Sequence, residues 1–184
     1  MTGDQLLDGD AVRGLVAAVA EVLAPDGPRH VLVIAGGSLL AWHGLREATR
    51  DVDTIRRMDD ELRDAVRLVA SRHGLAANWL NDNASPFWPA TLDIEACEVL
   101  AKYPRLLALG VPLRFLFLMK LHRADPNDLA DMQVIWPHIA DQFDNAEQLV
   151  VEYQTAFPLA PHDEHLAAFV IDLLADAGFE LGGP

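Results

Sequence analysis

Residues 33–55 read VIAGGSLLAWHGLREATRDVDTI, and this stretch decides the fold. An apolar, β-branched run ends at Gly36-Gly37-Ser38, and after twelve more residues Asp51-Val52-Asp53 opens a second run. β-branched residues favour strands, glycines interrupt them, and serine favours the cap of a helix. The stretch therefore predicts a strand, a glycine turn, a short helix capped by Ser38 and a second strand.

The two predicted strands cover residues 29–35 and 51–57. Because a strand points alternate side chains to opposite faces, Asp51 and Asp53 are expected to share one face, with about 6.6 Å between their Cα atoms. Val52 then points into the core. The sequence thus predicts two carboxylates side by side on the second strand.

A glycine turn followed by a pair of aspartates suits one kind of chemistry. Backbone N–H groups at a glycine turn that opens a helix bind phosphate oxygens. Aspartate carboxylates are hard oxygen ligands for magnesium and can hold the ion between a phosphate and an attacking hydroxyl. Each half is common alone, since glycines often follow strands and aspartates often occupy turns. Together they predict a site for a nucleoside triphosphate (NTP) and Mg²⁺.

The rest of the chain is mainly helical by its periodicity. Apolar residues recur at helical spacing, between caps and glycine or proline stops, in six segments: 10–24, 59–73, 112–124, 125–140, 144–156 and 163–177. Residues 91–100 are predicted as a further strand, with a helix as the alternative.

Composition narrows the functional classes. The formal charge of −14 opposes broad nonspecific binding to DNA or RNA, because that affinity comes from neutralising phosphates. All fourteen Lys and Arg residues lie at or before Arg123, whereas residues 124–184 hold twelve acidic residues. That acidic third is either a solvated helical surface or a surface that meets a basic partner.

Cysteine content and hydropathy indicate a cytoplasmic protein. A single cysteine, Cys97, excludes an internal disulfide. Residues 1–10, MTGDQLLDGD, lack the basic and apolar blocks of a signal peptide. No apolar run approaches the roughly 20 residues of a membrane span, so no membrane partner is expected.

Three motifs resemble a known superfamily. They are GGSLLAWHGLREATRDVD at 36–53, WLND at 79–82 and MKLHRADPNDLADM at 119–132. The first is similar to the signature of the DNA polymerase β-like nucleotidyltransferase superfamily. Together they resemble the AbiEii-like and MenT-like nucleotidyltransferases of bacterial toxin–antitoxin systems, over roughly residues 30–140.

The resemblance implies an architecture. It is an α+β fold in which a small mixed β-sheet nucleotidyltransferase core has flanking helices and a C-terminal helical region. The core with its N-terminal helix would occupy residues 1–110. The helical region, residues 111–184, would complete the active site.

The resemblance also implies residue roles. Its members hold the triphosphate at the glycine turn and serine, which correspond here to Gly36, Gly37 and Ser38. They bind magnesium through the aspartate pair, here Asp51 and Asp53, which would be catalytic. A lysine and an aspartate on two later helices contact the nucleotide and complete the catalytic site, and these correspond to Lys120 and Asp131.

Lys120 also has a structural explanation. A lysine inside an apolar helix loses solvation, so it needs a negative partner or an exit to water. A bound phosphate would serve, and so would Asp131 or a path to the surface. Asp128 is explained by its place at a helix start, which makes Asp131 the better functional candidate.

Two further predictions concern the surroundings of the site. Arg46 flanks the glycine turn and is a candidate nucleotide-binding residue, with ordinary surface charge as the alternative. Many polymerase β-like enzymes carry a third metal carboxylate on a neighbouring strand. Asp82, Asp93 and Glu95 compete for that role without a clear choice.

The leading hypothesis is a magnesium-dependent nucleotidyltransferase that moves a nucleoside monophosphate from an NTP to an acceptor hydroxyl. By resemblance, the acceptor is a tRNA 3′ end, the role is that of a toxin, and an antitoxin protein is a partner. One alternative is a noncatalytic nucleotide- or partner-binding pseudoenzyme, which would be antitoxin-like. Another is an enzyme that modifies a small-molecule acceptor such as an antibiotic. The sequence does not identify the NTP.

Overall fold

A computed structural model describes residues 5–181, which form an α+β fold with seven α-helices and one five-stranded mixed sheet. The predicted fold class is confirmed. The predictions for the N-terminus and the outer domain bounds include residues 1–4 and 182–184, which lie outside the described residues. The chain divides into two compact units, residues 5–88 with 95–111 and residues 89–94 with 112–181.

The first unit contains the sheet and three helices. In chain order its elements are α1 (Gly9–Val22), β1 (His30–Ala35), α2 (Gly36–Trp42), β2 (Val52–Thr54), α3 (Asp60–His73), β3 (Leu80–Asn81), β4 (Glu98–Lys102) and β5 (Leu106–Gly110). The strand order is β3-β2-β1-β5-β4. β1 therefore lies at the centre of the sheet, and Leu32 to Ala35 are fully buried.

Register fixes the position of the second strand beside the first. β1 pairs antiparallel with β2, with Ala35 opposite Asp53, and parallel with β5. β2 pairs parallel with β3, with Asp53 opposite Asn81. The Thr54 hydroxyl accepts a hydrogen bond from the Val33 N–H at 2.9 Å, which satisfies a polar side chain at a fully buried position. Asp53 is thus held next to the residue at which β1 ends.

Capping residues set the helix ends in this unit. Asp8 accepts a hydrogen bond from the Ala11 N–H at 2.8 Å at the start of α1. Asp59 accepts one from the Leu62 N–H at 2.9 Å at the start of α3, and Gly74 ends that helix in the left-handed conformation. The predicted bounds of α3 are confirmed because both signals are local.

The structure corrects three details of the predicted glycine turn. α2 begins at Gly36, so Ser38 lies inside its first turn and is not the cap. β2 spans only Val52–Thr54, not residues 51–57. Asp51 precedes the strand, so strand alternation does not fix the direction of its side chain as predicted.

The later strands also differ from the prediction. Within the predicted strand 91–100, the structure has a short 3₁₀ turn at Ile94–Ala96, and β4 begins only at Glu98. β3 and β5 were not predicted. β3 has two residues, too few to show a period, and β5 has the sequence LLALG, whose residues favour helices as readily as strands.

The second unit is helical. Its helices are α4 (Leu113–Arg123), α5 (Pro126–Ile135), α6 (Ala146–Ala156) and α7 (Leu166–Asp176). α5 ends at Ile135, earlier than predicted, and 3₁₀ turns follow. The Phe117 and Trp136 rings, 5.5 Å apart, join α4 to the segment after α5. None of the helices formed by residues 5–181 has the length and apolar content that a membrane span requires.

Candidate functional site

The Asp53 carboxylate lies directly against the glycine turn. Gly36 adopts a φ of 64°, a conformation that costs other residues energy. A Cβ atom at Gly36 would lie 2.9 Å from Asp53 Oδ2, too close for any real contact. Glycine is therefore required twice at this position, for the backbone angle and for the carboxylate.

The Arg46 guanidinium lies close to Gly37, the next residue of the turn. A Cβ atom at Gly37 would lie 3.1 Å from Arg46 Nη1 and 3.1 Å from Thr49 Oγ1. Arg46 Nε donates a hydrogen bond to the Ala48 carbonyl at 3.0 Å, which orients the side chain. The turn thus has the Asp53 carboxylate beside one glycine and the Arg46 guanidinium beside the next.

Thr49 positions Asp51 through the backbone. This buried threonine donates a hydrogen bond to the Asp51 carbonyl at 3.1 Å, and its own backbone is bonded in both directions to Leu7. The Asp51 carboxylate is half-buried and makes no hydrogen bond or ion pair with any of residues 5–181. Thr49 is not among the predicted site residues, although threonine hydroxyls can bond to the backbone two residues further on in a turn.

The Ser38 hydroxyl already has a hydrogen-bond partner within the fold. Its hydroxyl donates a hydrogen bond to the Ala35 carbonyl at 2.8 Å, and the residue is 1% exposed. A hydroxyl that bonds to a carbonyl three residues earlier stabilises the first turn of a helix. The predicted phosphate contact of Ser38 stays a prediction, and it would require that hydroxyl to release Ala35.

Lys120 lies in a buried cluster of charges in the second unit. Its Nζ donates hydrogen bonds to Asp128 Oδ1 at 3.0 Å and to Asp131 Oδ2 at 2.6 Å. Arg123 donates two more to Asp128, at 2.6 and 2.7 Å. Lys120 is 4% exposed and Asp128 is completely buried. We call these four residues the lysine cluster.

The ionised form of Asp128 is favoured in this cluster. Burial alone would raise the pKa of Asp128, but the hydrogen bonds and positive charges of Arg123 and Lys120 outweigh burial and lower it. Asp128 is therefore a member of the lysine cluster together with Asp131, although the sequence favoured Asp131 as the functional candidate. The prediction that Lys120 and Asp131 act together with Asp51 and Asp53 links the two units and stays a prediction.

Asp82, one of the three candidates for a third metal carboxylate, already accepts hydrogen bonds from groups of the first unit. Asp82 Oδ2 accepts hydrogen bonds from Arg63 Nη2 at 2.6 Å and from the Met58 N–H at 3.0 Å. Glu95 lies in the short turn before β4. Among residues 5–181, no group of three or more His, Cys, Asp or Glu side chains could hold a metal ion. Asp82, Asp93 and Glu95 thus form no three-ligand group with the aspartate pair.

A second polar network left no signal in the sequence. His30 lies within 2.9 Å of Asp59 and 3.1 Å of Glu61, and Arg105 Nη2 donates to Glu61 at 2.8 Å. Arg105 Nε also donates to the Pro28 carbonyl at 2.9 Å, which ties the loop before β1 to β5. Despite some desolvation, hydrogen bonding to Leu62 and His30 lowers the pKa of Asp59. This network joins elements far apart in sequence, so no local pattern marks it.

Comparison with protein-family models finds no match for this chain. Comparisons with curated proteins and with solved structures find no match either. The residues and geometry of the site therefore carry the functional argument.

Proposed function

We propose that the chain is a magnesium-dependent nucleotidyltransferase, which moves a nucleoside monophosphate from an NTP to an acceptor hydroxyl and releases pyrophosphate. One observation carries the proposal: the Asp53 carboxylate lies against the backbone of Gly36, where a side chain would displace it. A carboxylate beside a glycine turn can share a metal ion with phosphate groups bound at the turn.

The aspartate pair fits magnesium. Mg²⁺ is commonly held by one or two carboxylates together with substrate phosphates, so a third protein carboxylate is not needed. Asp51 and Asp53 would hold the ion, and the unpaired carboxylate of Asp51 has no cation of residues 5–181 to release. The bound ion would stabilise charge on the phosphates and help to deprotonate the acceptor hydroxyl.

Arg46 fits a role at the phosphates. A guanidinium offers several N–H donors in one plane, which match phosphate oxygens. Its approach to Gly37 places it beside the backbone that would receive the triphosphate. Because Nε is already bonded to Ala48, the side chain loses little further freedom when it binds.

Fewer observations bear on the acceptor than on the NTP and the metal ion. The resemblance to AbiEii-like and MenT-like enzymes suggests a tRNA 3′ end and a toxin that works with an antitoxin protein. The net charge of −14 favours a small acceptor over a long RNA surface. Transfer of the nucleotide to a small molecule is therefore the alternative version of the same reaction.

A noncatalytic NTP-binding protein is the competing candidate. It is favoured by the lysine cluster, in which Lys120 already has two carboxylate partners and so does not need a phosphate. Calorimetry separates the candidates. Magnesium-dependent NTP binding with no transfer to RNA, aminoglycosides or lincosamides would support the binding protein.

The transfer assay uses labelled NTPs, Mg²⁺ and either total RNA or a panel of small acceptors. We expect label transfer by the natural chain and its loss in Asp51→Asn and Asp53→Asn, because each change removes a metal ligand. Asp60→Asn, at an exposed position in the first turn of α3, is the matched control and should keep activity. Transfer that persists in an Asp51→Asn/Asp53→Asn double variant would contradict the proposal.

A further inference from the structure

A cavity of about 320 Å³ lies in the first unit beside β3. Three asparagines line it, Asn78, Asn81 and Asn83, together with apolar side chains that include Val66 and Leu80. We call it the asparagine pocket. Its volume is at the lower end of the range of about 300–1,000 Å³ for ligand sites, so it suits one small group.

The charged residues that line the asparagine pocket are already compensated. Arg63 donates to Asp82 at 2.6 Å and to the Met58 carbonyl at 3.1 Å. Arg67 is hydrogen-bonded to Asp64. Each charged side chain of the lining thus already has an oppositely charged partner, so the pocket suits a neutral ligand better than a phosphate or an ammonium group.

The asparagines supply the hydrogen-bonding groups of the pocket. Asn81 is 7% exposed and fixed, since its Oδ1 accepts from the Asn83 N–H at 3.0 Å and its Nδ2 lies 3.5 Å from the Asn78 carbonyl. The carboxamides of Asn78 and Asn83 are exposed and make no hydrogen bond within residues 5–181. Each presents N–H donors and a carbonyl acceptor side by side.

Carboxamides beside apolar side chains, with the charges already paired, fit one class of ligand. A nucleobase is neutral and planar, with donors and acceptors along its edge and apolar faces. Asparagine carboxamides pair with such edges through two hydrogen bonds, and unpaired bases are recognised in this way. We infer that the asparagine pocket binds the base of a nucleoside.

Register links the asparagine pocket to the strand that carries Asp53. Asn81 lies opposite Asp53 in the parallel pairing of β2 and β3, and neighbouring strands are about 4.8 Å apart. One residue that lines the pocket is thus the strand partner of one residue of the aspartate pair. The inference does not need the transfer reaction, because it concerns binding alone.

The test titrates adenosine, guanosine, cytidine and uridine separately into the whole chain without Mg²⁺ or NTP, and follows side-chain amide signals by ¹⁵N NMR. We expect at least one nucleoside to shift the Asn78 and Asn83 signals in a saturable way. In Asn78→Ala/Asn83→Ala its affinity should fall at least about tenfold, because hydrogen bonds to two carboxamides are lost. Asn127→Ala, an exposed position on α5, is the control and should bind as the natural chain does.

Two sources of the base are distinguished by a second arm. A short single-stranded RNA that ends in the preferred base should bind at the same amides if the pocket takes a strand end, and only the free nucleoside should bind if it does not. The inference is overturned if no nucleoside shifts these signals, or if the double variant binds as tightly as the control. Because Mg²⁺ and NTP are omitted, that failure is separate from failure of the transfer assay.

Discussion

The glycine turn in the first unit and the lysine cluster in the second each combine two aspartates with arginine. They differ in the partners that their carboxylates have. In the lysine cluster, Lys120 and Arg123 donate four hydrogen bonds to the carboxylates, and Asp128 is completely buried. At the turn, Asp51 is half-buried and has no partner among residues 5–181.

The two regions differ in whether the fold itself supplies a partner for the carboxylate. Buried charges must be paired within the fold, since an unpaired one costs several kcal/mol. A half-exposed carboxylate without a partner costs the fold little and remains available for a ligand. The charges of the lysine cluster are thus explained by the fold alone, whereas the Asp51 carboxylate remains available for the metal ion that we propose.

The largest expected effect is in the lysine cluster. Lys120→Met leaves Asp131 without its lysine, so the free energy of unfolding should fall by about 3 kcal/mol. This is the lower end of the range for breaking a buried pair, because Arg123 still donates hydrogen bonds to Asp128. Urea unfolding measures it. Lys102→Met, at an exposed position on β4, is the control and should change stability by less than about 0.5 kcal/mol. Equal effects of the two changes would mean that the cluster is not structural.

The next effect concerns the glycine turn. Gly36→Ala should lower the free energy of unfolding by about 2–3 kcal/mol, because it adds a contact with Asp53 to the cost of a left-handed backbone. Gly44 has a similar φ of 70°, but a Cβ atom there would meet no atom within 4 Å, so Gly44→Ala should cost only about 1 kcal/mol. Thermal unfolding of both variants measures the difference, which is the cost of the contact between the added Cβ atom and Asp53. If they lose the same stability, Asp53 does not press on the turn.

A smaller effect depends on pH. The pKa of Asp128 lies below its ordinary value of 3.8, so its stabilisation is fully present above that value and is lost as the pH falls through the lowered pKa. Arg123→Gln should raise this pKa and reduce stability by about 1 kcal/mol at neutral pH. The difference from the natural chain should shrink below about pH 4 in urea unfolding. A difference that stays constant with pH would show that Arg123 does not act through Asp128.

The smallest expected effect is on the stability of an Asp51 variant. Asp51→Asn should change the free energy of unfolding by no more than about 0.5 kcal/mol, because the carboxylate has no partner among residues 5–181 to lose. Thr49→Val is the companion change and should cost about 1 kcal/mol through its lost hydrogen bond to the Asp51 carbonyl. Denaturant unfolding compares the two. A large loss in Asp51→Asn would place that carboxylate among the structural residues.

Local signals explain how much of the fold the sequence predicted. α3 was predicted with both ends because its capping aspartate and terminal glycine are adjacent to it in sequence. β5 was not predicted, because its strand character comes from pairing with β1 on one side and β4 on the other. Tertiary pairing decides such a segment, and its own residues do not.

The candidate site shows the same limit. The sequence could mark Gly36, Gly37, Asp51 and Asp53 as candidates, because a turn and an aspartate pair leave a short pattern. It could not tell that Asp128 would be buried with Lys120, since Asp128 and Asp131 lie three residues apart and share one helix face. Nor did any pattern indicate that Asn81 lies beside Asp53, which depends on strand register.

The central place of β1 also bears on how the chain is made. The partner on one side, β2, follows β1 closely, but the partner on the other, β5, ends at Gly110. During synthesis from the N-terminus, one edge of β1 stays unpaired until that distant strand emerges, and pairings of this kind are slow. The apolar strand that leads into the glycine turn therefore keeps an edge open to pairing with other chains until synthesis passes residue 110.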